Sequence, residues 1–213
     1  MQYVSKSILF FVCVVVTASG AVMPPDGWRF AIPVIEWSDD QFDPDIACKG
    51  DSVFVAWIDT RSFRDHIRFK SSVNKGFSFG SESSVLDIAD NAHSDLRLAI
   101  DIIDATNGWT YLLWTSKHLS ENRYYLKFAR SSNRGANWYS AQVIASDLTM
   151  EPHGSIFVDD IGHIHIAYYE YVNSEIHRLK YTKSTDHGAT WTSPHETVNA
   201  RGSGLDIGHS AFY

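Results

Sequence analysis

Charged side chains that could bind a polar ligand or transfer a proton gather in three short segments of this sequence. Each segment follows an apolar run, and the three are DTRSFRDH (59–66), TSKHLSENR (115–123) and EYVNSEIH (170–177). Glu170 stands at the position in its segment that Asp59 holds in the first, so we expect the two carboxylates on the same side of the fold. Guanidinium groups pair well with carboxylates, and carboxyl groups can act as general acids.

The sequence has ten histidines and two cysteines, residue types with metal-binding or redox chemistry. His163 and His165 alternate on one predicted strand and face one side, but no third ligand stands at a recognisable spacing. We therefore interpret them as ordinary strand histidines and expect no metal site and no cofactor. Cys48 lies in the strand-like run DIACKG, and we predict a small buried apolar residue there rather than a reactive thiol.

A recurrent polar turn indicates the elements that must position the charged groups. In one copy Asp186 can fold back onto backbone N–H groups while Gly188 takes a positive φ. The copies are KSTDHGATW (183–191), RSSNRGANW (130–138), the weaker KSSVNKGFSF (70–79) and the partial GWRF (27–30). Their glycines are 49, 59 and 53 residues apart, which is a period typical of propeller blades. The turn therefore belongs to the scaffold.

Each period also contains apolar and alternating runs that are typical of short strands. The first runs are PDIACKG, LRLAIDI and GSIFVDD; the second are VFVAW, TYLLW and IHIAY; the third are HIRFKSS, YLKFARSS and HRLKYTKS. VIASD and ETVNA follow two of the turns as outer strands. The sequence thus predicts an all-β chain of four-stranded antiparallel units.

The repeated S-x-D-x-G-x-x-W turn resembles the Asp-box, or bacterial neuraminidase repeat, of the sialidase superfamily, over nearly all of the chain after residue 26. The resemblance implies a β-propeller with these turns on its rim, away from the substrate face, and six blades in a complete ring. Residues 21–213 then form a partial propeller of about three and a half blades. A lone outer strand at 28–36 precedes three full blades, and GSGLDIGHSAFY (202–213) opens a fourth. We interpret the sequence as a fragment.

The resemblance also implies a site. Sialidases hold the substrate carboxylate with three arginines and use an Asp as general acid and a Tyr nucleophile activated by a Glu. The segment AWIDTRSFRD (56–65) resembles a first-blade segment of the family, which assigns Arg61 to carboxylate binding and Asp65 to the catalytic acid. The residues alone also allow a simpler interpretation of Arg61 and Asp65, an ion pair on a solvated loop.

Further positions are expected on the substrate face, because the starts of the inner strands and the loops from second to third strands line that face of a propeller. Asp59, Arg97 and Glu170 are the candidate substrate-binding residues. The segment FDPDIA (42–47), where the family has Arg-Ile-Pro, contains no arginine, and Arg29 lies at a different spacing. The catalytic set is therefore incomplete in this chain.

Two functions follow from these observations. One is a sialidase-type glycoside hydrolase, and the other is a noncatalytic propeller that binds glycans or proteins outside the cell. A carbohydrate or glycoconjugate is the expected partner, and the sequence does not determine the oligomeric state.

The first twenty residues are typical of a secretion signal. Lys6 precedes the apolar core ILFFVCVVV, and small residues suited to cleavage follow it in TASGA. Without residues 1–20 the chain has 17 basic and 25 acidic residues, a net charge of −8. Such a surface repels nucleic acid and anionic membranes. We therefore expect a secreted or periplasmic protein with no membrane span after cleavage and no nucleic-acid partner.

Overall fold

The computed structural model describes residues 33–35, 40–61, 65–85, 91–103, 108–118, 120–173 and 176–201. These residues form three four-stranded antiparallel sheets in which the strands follow one another in chain order. Sheet 1 contains β1 (Gln41–Lys49), β2 (Ser52–Asp59), β3 (His66–Ser72) and β4 (Ser83–Ser84). Sheet 2 contains β5 (Asn91–Ile102), β6 (Gly108–His118), β7 (Arg123–Ser131) and β8 (Gln142–Leu148). Sheet 3 contains β9 (Gly154–Val158), β10 (Ile164–Asn173), β11 (Ile176–Ser184) and β12 (His195–Arg201).

The predicted all-β chain of four-stranded antiparallel units is confirmed. Of the predicted lone strand at residues 28–36, the structure describes residues 33–35, which are not in a strand. The remainder of that strand, the partial turn copy at 27–30, the signal segment 1–20 and the segment 202–213 lie outside the described residues.

Alternation of side chains along the strands builds two apolar cores, one on each side of sheet 2. Leu112 on β6 packs in the core shared with sheet 1, and its neighbour Leu113 packs in the core shared with sheet 3. Both are fully buried. Successive residues of a strand point to opposite faces, so one strand serves both cores. Sheet 2 is therefore covered on both sides, as its continuous apolar run TYLLW requires.

The three repeat turns (residues 72–79, 131–138 and 184–191) connect the third and fourth strands of their sheets and share one hydrogen-bond pattern. Their serine, Asn or Asp, and glycine residues are Ser72, Asn74 and Gly76; Ser131, Asn133 and Gly135; and Ser184, Asp186 and Gly188. Each serine hydroxyl donates to the Asn or Asp oxygen at 2.8 Å and accepts the glycine N–H at 2.8 to 3.0 Å. This pairing satisfies backbone groups that the turn would otherwise leave without partners.

Two of the repeat turns dock onto the preceding sheet through their glycines. A Cβ atom added to Gly135 would lie 1.9 Å from Phe69 Cε1, and one added to Gly188 would lie 2.5 Å from Phe128 Cε1. Both glycines have positive φ, 83° and 79°. Phe69 and Phe128 hold the same position on the third strands of sheets 1 and 2. Glycine is thus required there both by the backbone conformation and by the close ring.

The tryptophan of each docked turn completes the joint to the preceding sheet. Trp138 Nε1 donates to Ser83 Oγ at 3.2 Å, and that hydroxyl donates to the carbonyl of Gly135 at 2.5 Å. Trp191 Nε1 donates to Gln142 Oε1 at 3.1 Å, and Gln142 Nε2 donates to the carbonyl of Gly188 at 3.0 Å. One side chain on the preceding sheet therefore links the indole and the glycine of each turn.

The prediction that Cys48 is buried is wrong. Cys48 is exposed, and Ile46, two residues earlier on β1, is also 64% exposed. Both side chains lie on the face of sheet 1 that points away from sheet 2. Ala47, between them in sequence, lies on the opposite face and packs against the core. The apolar character of the segment did not reveal which face each residue takes.

Candidate functional site

The first strands of sheets 1 and 2 each carry an aspartate in a left-handed conformation. Asp43 has φ 45° and Asp95 has φ 53°, and the strand register shifts at both positions. Asp43 Oδ2 accepts the backbone N–H of Asp95 at 2.9 Å, and Asp95 Oδ2 accepts that of Gly154 at 3.1 Å. Each aspartate therefore links its own bulge to the next sheet, where β1, β5 and β9 lie side by side.

Asp45, two residues after Asp43 on β1, makes a similar link between sheet 1 and sheet 2. Its Oδ2 accepts the backbone N–H of Leu98 at 2.7 Å, and its Oδ1 accepts that of Ile46 at 2.9 Å. Burial raises the pKa of Asp45 above its ordinary value, although both N–H groups act in the opposite direction.

A cleft of about 370 Å³ opens where these first strands begin. We call it the first-strand cleft, and its lining residues are Asp43, Pro44, Ser94, Asp95, Leu96, Arg97, Glu151 and His153. The segment that bears Glu151 and His153 is held by Thr115, whose hydroxyl donates to the carbonyl of Pro152 at 2.6 Å. Sheets 1 and 2 and the segment before β9 thus form the walls, and six of these eight residues have polar or charged side chains.

Ion pairs and hydrogen bonds connect the lining residues. The Arg97 guanidinium pairs with Asp95 and also donates to the carbonyl of Leu96 at 3.0 Å. His153 Nδ1 lies 3.5 Å from Asp95 Oδ2, and the Ser94 hydroxyl donates to Glu151. The side chains of Arg97 and His153 remain 32% and 54% exposed, so a ligand can reach them.

The predicted residues Asp59 and Arg61 belong to an ion-pair network at the end of β2. Asp59 is fully buried, and Arg61 Nε donates to its Oδ2 at 2.5 Å. Arg61 Nη2 also lies 2.6 Å from Glu82 Oε1, and Arg68 approaches both carboxylates at 3.7 and 3.6 Å. Two guanidinium groups therefore compensate two carboxylates, and the network fixes the direction of Arg61.

The structure places the other predicted catalytic residue, Asp65, against sheet 2. Asp65 Oδ2 accepts the backbone N–H of His93 at 2.7 Å. His93 is only 4% exposed and lies at the start of β5. This contact connects the loop between β2 and β3 to the neighbouring sheet.

Glu170 lies at the position on β10 that corresponds to Asp59 on β2. Its Oε2 is 3.3 Å from Lys180 Nζ on the paired strand. Burial and the nearby Glu170 charge raise the pKa of Tyr168 to about 12, so this phenol is neutral at physiological pH.

His163 and His165 both contact Asp159 in the connection that precedes β10. His163 Nδ1 and His165 Nε2 lie 3.3 and 3.1 Å from Asp159 Oδ2, and His165 Nδ1 lies 2.7 Å from the hydroxyl of Tyr181. Within the described ranges, no group of three His, Cys, Asp or Glu side chains has an arrangement suited to a metal ion.

Of the predicted site residues, Arg97 lines the first-strand cleft, whereas Asp59 and Arg61 share the ion-pair network. Sequence reasoning missed the other cleft residues, including Asp43, Glu151 and His153. A signal for Asp43 existed: Pro44 follows it, and a proline within a sheet occurs at edge strands, at strand starts or at bulges.

No helix long and apolar enough to cross a membrane occurs among the residues that the structure describes. Comparison with protein-family models found no match, and comparison with curated proteins found none either. Among solved structures, the chain is similar to the Hadza microbial sialidase Hz136, with a TM-score of 0.55 and 17% sequence identity. The match covers 76% of this chain and 38% of that sialidase chain. The three sheets therefore have a fold like that of part of a sialidase.

Proposed function

We propose that this chain is part of a secreted, sialidase-like β-propeller and that its first-strand cleft binds glycans. The observation that carries the proposal is the cleft itself, which combines Arg97, Glu151 and His153 where the first strands of three sheets begin. Polar side chains that converge in a concave site fix a ligand through hydrogen bonds. The similarity to a sialidase fold makes a carbohydrate the first class of ligand to test.

Glycan-array binding by the folded, full chain tests this proposal. We expect retained glycans for the wild-type chain and weaker retention for Arg97→Gln, because that substitution removes the cleft's guanidinium donors. Lys75→Gln is the matched control, because it also removes one positive charge, as Arg97→Gln does. Lys75 lies in a repeat turn, and its side chain is 65% exposed. A folded wild-type chain that retains no glycan would contradict the proposal.

The repeat turns support the propeller part of the proposal. All three have the serine, Asn or Asp, and glycine arrangement that resembles the Asp-box, and two of them form the same joint to the preceding sheet. We propose that further sheets joined in the same way complete a ring of blades. We propose residues 21–213 as the propeller portion and residues 1–20 as its cleaved secretion signal. Mass spectrometry of the exported protein tests the cleavage.

Hydrolysis of sialosides is the second candidate function, and the segment AWIDTRSFRD is the observation that favours it. The contacts of its two key residues weigh against catalysis. Arg61 is held by Asp59 and Glu82, and Asp65 accepts an N–H of the neighbouring sheet. A carboxylate engaged in the scaffold is poorly placed to protonate a leaving group.

We therefore expect no turnover of a fluorogenic sialoside by the full chain, with Asp65→Ala assayed beside it. Turnover that disappears in Asp65→Ala would establish hydrolysis and assign Asp65 as the acid. Circular dichroism of both proteins ensures that a missing signal does not result from unfolding.

A further inference from the structure

We propose that the first-strand cleft binds saccharides without an anionic group and discriminates against acidic sugars such as sialosides. This inference rests on the proposed glycan binding and specifies its ligand class. The grounds are the charges of the cleft, the contacts of Arg97, which is the one arginine among its described lining residues, and the hydrogen-bonding capacity of its carboxylates.

The cleft has an excess of negative charge. Asp43, Asp95 and Glu151 contribute three carboxylates to the lining, and Arg97 contributes one guanidinium. His153 lies near Asp95, and its imidazole can add at most one further positive charge. A ligand carboxylate in this cleft therefore meets more negative than positive groups, and like charges at contact distance repel each other.

Arg97 is also poorly disposed to bind a ligand carboxylate. Recognition of a carboxylate by arginine is strongest when two parallel N–H groups face its two oxygens. In the cleft, one side of the Arg97 guanidinium is paired with Asp95 and another N–H donates to the carbonyl of Leu96 at 3.0 Å. A sialoside carboxylate would have to displace Asp95 from this pair.

The carboxylates suit hydrogen-bond donors. Asp43 Oδ2 accepts the N–H of Asp95, and Glu151 Oε1 accepts the Ser94 hydroxyl, but each carboxylate has two oxygens with about four acceptor positions in all. Sugar hydroxyls can donate to the remaining positions. An ammonium group on the sugar adds charge attraction, so amino sugars are expected to bind more tightly than their hydroxyl counterparts. The volume of about 370 Å³ lies near the lower end of ligand sites and suits one sugar ring.

Isothermal titration of the full chain with matched probes tests the ligand class. The first pair is the methyl α-glycoside of N-acetylneuraminic acid and its C1 methyl ester, which differ by one negative charge. We expect the ester to bind about tenfold more tightly than the acid at low salt, as one close like-charge contact implies. The second pair is methyl β-glucosaminide and methyl β-glucoside, and we expect the amino sugar to bind more tightly.

Variants identify the groups responsible. Glu151→Gln keeps the shape of the side chain and should reduce the advantage of the glucosaminide over the glucoside; Asp43→Asn provides the same test if Glu151→Gln does not fold. Lys75→Gln, remote from the cleft lining, should leave both preferences unchanged. Tighter binding of the acid than of its ester would overturn the ligand class while leaving glycan binding intact. No binding of any of the four probes by folded protein would overturn both the ligand class and the proposed function.

Discussion

At the scale of single residues, Asp186 shows how one charged side chain can serve the scaffold. Its Oδ1 accepts the N–H of Thr190 at 2.9 Å, and its Oδ2 accepts the Thr190 hydroxyl at 2.6 Å. These bonds and that from Ser184 lower the pKa of Asp186 well below its ordinary value. The first two turns have Asn74 and Asn133 at this position, and a neutral amide oxygen accepts the corresponding N–H there.

We predict that Asp186→Ala lowers the free energy of unfolding by roughly 1 to 2 kcal/mol at pH 7, because the turn loses its acceptor. Asp186→Asn should lose less, since Asn74 makes the equivalent bonds in the same fold. A carboxylate with a depressed pKa stabilises the fold above its unfolded pKa, about 3.9, and this contribution disappears as the pH falls further. Urea unfolding should therefore show that the free energy of unfolding decreases less between pH 7 and pH 3 in Asp186→Asn than in wild type. Equal decreases in the two proteins would contradict this role of Asp186.

Arg61 provides the second prediction at this scale. Arg61→Ala leaves the fully buried Asp59 without its nearest cation, and removal of one partner of a buried ion pair typically costs about 3 to 5 kcal/mol. Arg68 lies 3.7 Å from Asp59 and should moderate the loss. Chemical denaturation of wild type and Arg61→Ala measures this loss of unfolding free energy. Unchanged stability together with lost glycan binding would instead make Arg61 a ligand-binding residue, as its resemblance to a sialidase arginine implies.

At the scale of elements, the glycines of the repeat turns allow two costs of a substitution to be separated. One is the cost of a positive φ, and the other is the cost of disturbing the docking onto the preceding sheet. Gly188→Ala and Gly135→Ala place a Cβ against Phe128 and Phe69, whereas at Gly76 the nearest described atom is Val53 Cγ2 at 3.9 Å. All three have positive φ between 79° and 83°. Each substitution should cost about 1 to 2 kcal/mol for the backbone, and the two docked positions about 1 to 3 kcal/mol more. Similar losses at all three positions, measured by urea unfolding, would show that docking adds little.

The strands and turns were predictable because their signals are local. Alternation of apolar residues and a repeated glycine turn are determined by neighbours in sequence, so the sequence located all three repeat turns. The first copy looked weak because it has Phe79 in place of tryptophan, yet Asn74 makes the same contacts there as Asn133.

The first-strand cleft was not predictable in the same way. It combines residues from two first strands, β1 and β5, with residues of the segment before β9, and both strands bulge there. Neither the alternation of apolar and polar residues nor a sequence motif reveals which side chains a bulge directs into the cleft. Arg97 was found because it stands near the start of a first strand. Glu151 and His153 lie just before such a strand and gave no separate signal.

At the scale of the whole molecule, sheet 2 connects the two apolar cores. Leu112 and Leu113 are fully buried on its opposite faces, so Leu112→Ala and Leu113→Ala should each cost about 2 to 5 kcal/mol. Since both cores include sheet 2, we expect each variant to unfold in a single transition. Far-ultraviolet circular dichroism and tryptophan fluorescence should then give coincident curves. Separate transitions in Leu112→Ala would show that sheet 1 unfolds independently of sheets 2 and 3.

The joint between sheets also has a direction. Trp191 and Gly188 reach back to Gln142 on the preceding sheet, and Trp138 and Gly135 reach back to Ser83 in the same sense. One face of a sheet therefore offers the turn, and the opposite face offers the bridging side chain. Units joined in this way can only associate head to tail, which is a heterologous contact. Such contacts generate closed rings when the rotation per unit divides a full circle and open helical arrays when it does not, but they never generate a two-fold pair of identical faces.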